Sequence, residues 1–444
     1  MSDSIKLFGT DGIRGVANQF PLTPEFITRI GSAIAQALGR DTTQPIALIG
    51  RDTRASGAMI ENALSAGLMA CGFDTLHVGV LPTPGIAFLT RALNARCGIA
   101  ISASHNPYQD NGIKVFGGDG FKIPDESENE IETRAQNYEL RITNYEIGTR
   151  RDDTSSIQIY FDFLLDAIKR APILQGTRVV IDCNNGATFR IAPRVMRELG
   201  AEVIALNDAP DGININRGYD SLEPKLLRDT VLRERADFGV QFDGDGDRAV
   251  CVDERGNYID GDFILAILAR DLRAPTVVST MMANIGLEKS LRAIGVAMER
   301  TAVGDRWVTE RMRALNAQIG GEQSGHIVLF DGGHTTGDGI YTAVRIADVI
   351  ARSGKSLATL AECMTRYPQV LINVRVPRKP PLENFPAIQQ RVAHAQATIG
   401  DGARILLRYS GTENLARVMI EGRDATLIDR EANAIADVIR ETIT

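Results

Sequence analysis

The chain has 444 residues, 44% of them hydrophobic and 24% charged, with a formal net charge of −7. That balance suits a globular protein, and the length is too great for one core, so three or four domains are expected. The acidic balance argues against a general nucleic-acid surface, so an anionic substrate must be held by local Arg and Lys clusters. No apolar run approaches the roughly 20 residues needed to span a bilayer. Met1-Ser2-Asp3-Ser4-Ile5-Lys6 lacks the apolar core of a signal peptide. Five scattered cysteines (Cys71, Cys97, Cys183, Cys251, Cys363) read as free thiols of a reducing cytoplasm, not as a disulfide or zinc framework.

In chain order, Phe8-Gly9-Thr10-Asp11-Gly12-Ile13-Arg14-Gly15 predicts a compact glycine loop, and an Arg fixed there suits bidentate phosphate binding. Thr23 as N-cap and Pro24 at the first helical position open a helix on which Phe26, Ile30, Ile34 and Leu38 recur every fourth residue. A strand over Ile46–Ile49 leads into Gly50-Arg51-Asp52-Thr53-Arg54-Ala55-Ser56-Gly57. A helix to about Cys71, a strand over Thr75–Val78, a proline turn and a helix to about Leu93 follow.

Gly98–Ile101 reads as a buried strand that ends at Ser102-Ala103-Ser104-His105-Asn106-Pro107. Pro107 has no N–H and pushes Asn106 towards extended backbone. Ser104 and His105 are therefore expected at the lip of a strand, where α/β folds bind ligands. Neighbouring side chains in an extended chain point apart, so His105 is not expected to serve Ser104 as a hydrolase base.

The order strand, polar turn, helix recurs at Arg178–Ile181 to Ile191–Leu199 and at Thr276–Ser279 to Ile285–Ile294. After Tyr367-Pro368 the pattern changes to strand, helix, strand, strand, helix. The predicted class is α/β: three similar mixed-sheet domains and a small C-terminal α+β domain. The expected boundaries are 1–152, 153–253, 254–367 and 368–444.

Phe242-Asp243-Gly244-Asp245-Gly246-Asp247-Arg248 carries the most specific chemistry. Glycines between three carboxylates let the backbone fold tightly and aim them at one point, and such oxygen ligands select a hard cation such as Mg²⁺. Asp243, Asp245, Asp247 and Glu254 match EF-hand spacing. The sixth position of that loop wants Gly, however, and here it is Arg248, with strands rather than helices on either side. An Arg beside a divalent ion is the pairing that phosphoryl transfer uses. Gly304-Asp305-Arg306-Trp307 opens a helix whose N-terminus favours anions. Gly320-Gly321-Glu322-Gln323-Ser324-Gly325-His326 is a turn able to read sugar hydroxyls. Arg408-Tyr409-Ser410-Gly411-Thr412-Glu413-Asn414, with Arg417, forms a phosphate nest.

Together these five stretches, Gly9–Gly15, Ser102–Pro107, Asp243–Arg248, Gly321–His326 and Arg408–Thr412, resemble the α-D-phosphohexomutase superfamily in the right order over nearly the whole chain. The resemblance points most closely to its bacterial glucosamine-phosphate branch. It implies four domains around a central cleft and a phosphoserine at Ser104. It implies one Mg²⁺ per chain, held by Ser104, Asp243, Asp245 and Asp247. It further implies interconversion of glucosamine 6-phosphate and glucosamine 1-phosphate through glucosamine 1,6-bisphosphate, with a sugar 1,6-bisphosphate as activator, feeding UDP-N-acetylglucosamine and the cell wall.

Arg14 and Arg248 would offset phosphoryl charge. Lys114 is the first candidate for general acid/base and His105 the second. Gly304, Asp305, Arg306, Glu322, Ser324 and His326 would face the substrate, and Arg408, Ser410, Gly411, Thr412 and Arg417 would hold its non-reacting phosphate. The implied partner is a phosphosugar, with no nucleic acid or membrane, for a cytoplasmic monomer or homodimer. The family nest commonly reads Arg-Lys-Ser-Gly-Thr-Glu-Pro. Tyr409 here removes a cation and Asn414 loosens the turn, which puts phosphate affinity in question. A hexose-specific phosphoglucomutase or phosphomannomutase is the alternative within the superfamily, and a non-catalytic phosphosugar-binding protein the alternative outside it.

Overall fold

The computed structural model describes residues 6–9, 11–39, 45–137, 147–169, 172–220, 223–331, 333–400, 402–410 and 414–443. Two compact units emerge: Met1–Met282 with Val296–Cys363, and Ala283–Gly295 with Met364–Thr444.

The first unit holds three mixed sheets built on one plan. In the first, the order is Phe8–Gly9, Gly12–Val16, Asp110–Gly117, Cys97–Ile101, Ile46–Arg51, Asp74–Val80, Arg150–Asp152. The last four strands run parallel, and Cys97–Ile101 turns back antiparallel into Asp110–Gly117. The second sheet runs Tyr258–Ile259, Ala249–Asp253, Phe238–Phe242, Arg178–Asp182, Glu202–Leu206, with an antiparallel return from Phe238–Phe242 into Ala249–Asp253. The third runs Ala297–Thr301, Thr276–Thr280, Ile319–Gly321, Ile327–Leu329, with its antiparallel return from Ile319–Gly321 into Ile327–Leu329. Each sheet thus ends a parallel strand in a hairpin. The three hairpin loops are residues 102–109, 243–248 and 322–326, at the carboxyl ends of the strands where ligands bind.

Local chemistry explains the elements. Thr23 caps the helix Pro24–Leu38 by accepting the Phe26 N–H, with Pro24 in its first turn. Its apolar stripe packs with the helix Gly57–Met69 over the first sheet, where Ile30, Ile34, Leu64 and Leu68 are fully buried. Truncating any of them to Ala costs about 2–5 kcal/mol.

One stretch differs from the sequence reading. The glycine stretch at 8–16 is not a loop but a hairpin, Phe8–Gly9 with Gly12–Val16, whose second strand pairs with Asp110–Gly117. That partner strand carries Lys114 opposite Ala100.

The second unit is a three-stranded antiparallel sheet, ordered Gln369–Arg375, Leu415–Glu421, Arg404–Tyr409. The helices Pro386–Ile399 and Ala425–Thr442 cover it, the latter capped by Asp424. The helix Ile285–Arg292 belongs to this unit: Asn284 exchanges hydrogen bonds with the Tyr367 backbone at 2.9 and 3.0 Å, and Lys289 donates to the Gly402 carbonyl at 3.0 Å. Among the described residues, no helix is long and apolar enough to cross a membrane.

Candidate active site

Ser104 stands in the first hairpin loop with φ +52°, in the left-handed region, a strain of about 1–3 kcal/mol that only a firmly held loop sustains. This bend reverses the expectation for its neighbour. The His105 Nδ1 lies 3.4 Å from Ser104 Oγ, because the backbone between them is not extended.

Ser104 Oγ donates to Asp243 Oδ2 at 2.5 Å across to the second hairpin loop. The approach is close enough that a Cβ on Gly244 would meet the Ser104 carbonyl at 2.5 Å, so only glycine fits there. Gly246, with φ +72°, turns the loop so that Asp243, Asp245 and Asp247 converge, their candidate ligand oxygens all within 4.8 Å of one another. The three carboxylates are buried, and Asp245 Oδ1 and Asp247 Oδ1 have no hydrogen-bond partner. Orphaned oxygens on three buried like charges fit a hard divalent cation.

Lys114 supplies the cation within this arrangement. Its Nζ reaches Asp245 at 2.8 Å, Asp11 at 2.9 Å and Asp247 at 3.3 Å. Burial opposes its charge, but the three carboxylates outweigh burial and hold the ammonium well above its ordinary pKa. Burial likewise pushes Asp245 up, yet Lys114 and the Thr83 hydroxyl at 2.6 Å outweigh it and set it at about 2. Asp243 goes the other way: burial, then Asp247 and Asp245, raise it well above the ordinary range. Burial, with Arg248 and Arg14 behind it, lowers His105 to about 4. Its Nδ1 faces Arg248 Nη1 at 3.3 Å.

Arg14, from the Gly12–Val16 strand, donates to the Ala103 carbonyl at 3.3 Å and pairs with Asp11. Asp11 also takes Lys122 at 2.5 Å, and Lys122 pairs with Asp305 at the start of the helix Asp305–Leu315. In the third hairpin loop, Glu322 accepts the Gly304 N–H at 3.2 Å. His326 is buried with Nε2 3.7 Å from Asp305 and no hydrogen bond at either ring nitrogen. These groups enclose a pocket of about 420 Å³ lined by Asp11, Arg14, His105, Asp247, Arg248, Gly304, Asp305, Glu322 and His326, within the range of small-molecule sites.

Six of the first unit's expected residues do not line this pocket: Ser104, Lys114, Asp243 and Asp245, placed above, and Arg306 and Ser324. Arg306 turns away from this pocket to pair with Asp125 and Glu128 of the helix Asp125–Gln136, because two carboxylates there outbid open solvent. Ser324 is not part of the pocket lining.

The second unit carries the nest. Arg408 and Arg417 face each other across paired strands, a like-charge juxtaposition that an anion would relieve. Burial and Arg417 lower the pKa of Arg408. Arg417 Nη2 is 3.4 Å from Ser410 Oγ. Gly411 and Thr412 lie outside the described residues. Lys379 donates to the Ser410 carbonyl at 2.8 Å, and the Tyr409 hydroxyl donates to the Pro380 carbonyl at 2.6 Å. Sequence reasoning missed Lys379, Thr83, Lys122 and Asn216, whose Nδ2 donates to the Ser104 carbonyl at 2.8 Å. Each acts across a distance in sequence that no local pattern signals.

Comparison with known proteins gives the descent. Models of phosphoglucomutase/phosphomannomutase alpha/beta/alpha domains I, II and III match residues 5–141, 158–256 and 260–367, and the C-terminal domain matches 371–438. The chain is 48% identical to a phosphoglucosamine mutase of Symbiobacterium thermophilum, covering 98% of this chain and 99% of the relative. A phosphoglucosamine mutase of Syntrophus aciditrophicus is 45% identical over 99% of each. A phosphoglucomutase/phosphomannomutase family structure from Burkholderia thailandensis superposes with a TM-score of 0.80 at 24% identity, covering 97% of each chain. Near-half identity from end to end, with all four domain matches in the same order, makes the conclusion plain: this chain is an enzyme that belongs to the phosphoglucomutase/phosphomannomutase family, the isomerases of the phosphohexomutase superfamily.

Proposed function

We propose that the chain interconverts glucosamine 6-phosphate and glucosamine 1-phosphate, with Ser104 carrying the transferred phosphoryl group. The observation that carries this reading is the Ser104 hydroxyl 2.5 Å from Asp243 within a buried aspartate triad that has two unpartnered oxygens. In the forward half, the bond from phosphorus to Ser104 Oγ breaks and a bond to the sugar 1-hydroxyl oxygen forms, the hydroxyl's proton ending on Ser104 Oγ, giving glucosamine 1,6-bisphosphate. In the second half the bond from phosphorus to the sugar 6-oxygen breaks and one to Ser104 Oγ forms, the Ser104 hydroxyl's proton ending on the 6-oxygen, which leaves glucosamine 1-phosphate. This product suits the supply of UDP-N-acetylglucosamine and the cell wall. A sugar 1,6-bisphosphate would load Ser104 at the start.

Mg²⁺ on Asp243, Asp245, Asp247 and Ser104 would supply charge neutralisation. The chain's own groups do the rest. Arg14 and Arg248 hold phosphoryl oxygens, a loose transition state needing position and charge more than covalent help. Lys114, kept protonated by three carboxylates, serves as a fixed cation. That favours His105, neutral at pH 7 and 3.4 Å from Ser104 Oγ, as the proton acceptor, reversing the order expected from sequence. Glu322 and His326 are the pocket's candidates for sugar hydroxyls and amine, and Arg408, Ser410 and Arg417 of the second unit bind a phosphate.

The choice of glucosamine rests on relatives named phosphoglucosamine mutase at 43–48% identity. The test compares glucosamine, glucose and mannose 6-phosphates with Mg²⁺ and a trace of sugar bisphosphate. A preference of tenfold or more for glucosamine, about 1.4 kcal/mol of transition-state binding, is expected. A preference for glucose or mannose refutes the substrate and keeps the mechanism, and Ser104→Ala with undiminished turnover refutes the carrier.

A further inference from the structure

The stretch Gly50–Gly57 finds no use in the chemistry above, and Arg54 lies within it without lining the pocket. We infer that Arg54 is the positioning residue of the Ser104 loop. Its guanidinium holds that loop's carbonyls from beneath and so maintains the left-handed backbone that presents Ser104 Oγ to the aspartate triad. The inference rests on Ser104 being the phosphoryl carrier.

Arg54 follows the strand Ile46–Arg51, which runs beside Cys97–Ile101, the strand that launches the Ser104 loop. Its side chain and that of Asp52 are both fully buried and ion-paired at 2.8 Å. A buried pair is weak evidence for stability alone, but this one has specific targets. Nη1 donates to the carbonyls of Pro107 and of Asp110, the latter at 2.9 Å. Nη2 donates to those of Ser104 at 2.9 Å and Asn106 at 2.8 Å. With Nε on Asp52, all five donors of the fork are used, and four of them end on residues 104–110.

The partner acid closes the circuit. Asp52 Oδ2 accepts the Ser102 hydroxyl at 2.6 Å, and Ser102 Oγ accepts the Ser104 N–H at 2.9 Å. The N–H and the C=O of Ser104 are therefore both tied to one ion pair, on either side of its strained φ. Asn216 adds a second clamp, its Nδ2 reaching the Ser104 carbonyl at 2.8 Å and the Asn106 carbonyl at 3.0 Å. A lysine keeps the charge but presents three donors at one point, so it cannot reproduce the fork.

The experiment uses the full chain with Arg54→Lys and with Asn216→Gly. Asn216 has φ +55°, which Gly adopts without strain, so the second variant removes only the clamp. Phosphate gain at Ser104 from glucose 1,6-bisphosphate is followed by intact mass and peptide mapping, beside kcat, KM and cooperative melting. A folded Arg54→Lys is expected to label Ser104 and turn over about 100-fold more slowly, the scale of a misplaced reacting atom, with KM within about threefold of wild type. Asn216→Gly is expected to slow labelling about fivefold at unchanged KM.

A merely structural role would lower melting and active fraction but leave the labelling rate of the folded protein unchanged. A folded Arg54→Lys that labels within twofold of wild type overturns the inference. If Arg54→Lys does not melt cooperatively, Asn216→Gly labelling within twofold of wild type does the same. Wild type that never labels Ser104 overturns the carrier reading instead.

Discussion

Asp338 offers a sharp test of how burial governs this protein. It caps the helix Gly339–Ser353, its side chain accepting the Tyr341 N–H at 2.9 Å and the Tyr160 hydroxyl at 2.7 Å. The first residue of that helix donates to the Gly246 carbonyl at 3.0 Å, so the cap sits directly behind the aspartate loop. The other titratable group facing Asp338 is His334, with Nδ1 at 3.7 Å; burial, Arg91 and Arg345 lower it to about 3 and keep it neutral. Burial raises Asp338 itself from 3.8 to about 7, against its hydrogen bonds.

The folded protein therefore keeps a proton there that the unfolded chain loses near pH 4. Stability from this group is full below about pH 4, falls as pH rises, and levels off above about pH 7. Roughly three pH units at about 1.4 kcal/mol each give a loss of about 4 kcal/mol, some 2–3 kcal/mol of it between pH 5 and 8. Asp338→Asn keeps the acceptor for Tyr341 and turns N–H groups towards Tyr160 and His334, without a charge to bury. Melting temperatures of both proteins at pH 5, 6, 7 and 8 in one ionic strength isolate the effect, since all other titrations are shared. The variant's advantage is expected to widen by several degrees from pH 5 to pH 8. Parallel curves across that range would refute the reasoning.

Other outcomes follow from single contacts. Gly246→Ala forces a non-glycine residue into φ +72° and drives its Cβ to 2.5 Å from Thr188 Cγ2; calorimetry should find Mg²⁺ affinity reduced at least about tenfold, as misplaced ligands require. Mg²⁺ at 100 times its dissociation constant should stabilise the wild type by about 2.7 kcal/mol, and chelation or Asp245→Asn should remove that gain in a melting assay. Lys379→Gln, which deletes the cation on the Ser410 carbonyl, should raise KM for the sugar phosphate about fivefold, near 1 kcal/mol, at a kcat within twofold; unchanged KM would show that this lysine does not compensate for Tyr409.

What was legible in the sequence is what local physics decides. Thr23, Pro24 and a four-residue apolar recurrence mark the first long helix, and Asp424 marks the last. The alternation of glycine and aspartate at 243–247 announces convergent carboxylates, and they converge. The rest is decided at long range. Gly12–Val16 has little strand preference of its own and becomes a strand because Asp110–Gly117 pairs with it. Lys114 is buried only because Asp11, Asp245 and Asp247 arrive from two other segments. His105 comes near Ser104 only through a left-handed serine that its own neighbours do not require. Arg306 reads as an anion-facing helix start, yet Asp125 and Glu128, some 180 residues away, claim it.

The three hairpin loops occupy equivalent positions in three sheets, and their divergence explains the charge balance of the site. One loop brings a hydroxyl, one three carboxylates, and one a glutamate with a histidine. Asp11, Asp243, Asp245, Asp247, Asp305 and Glu322 stand against Arg14, Lys114, Lys122 and Arg248, six acids to four cations. Counted at full charge these groups sum to −2, which a divalent cation on the proposed site would offset. A phosphoryl group on Ser104 then adds almost two negative charges, and a substrate phosphate arriving beside it meets repulsion. On the proposed cycle the non-reacting phosphate must therefore find its cations elsewhere. Arg408, Arg417 and Lys379 are gathered near one loop of the second unit, where the two arginines face each other across paired strands. The charges of the first unit's hairpin loops and those of the second unit's loop are thus separate sets.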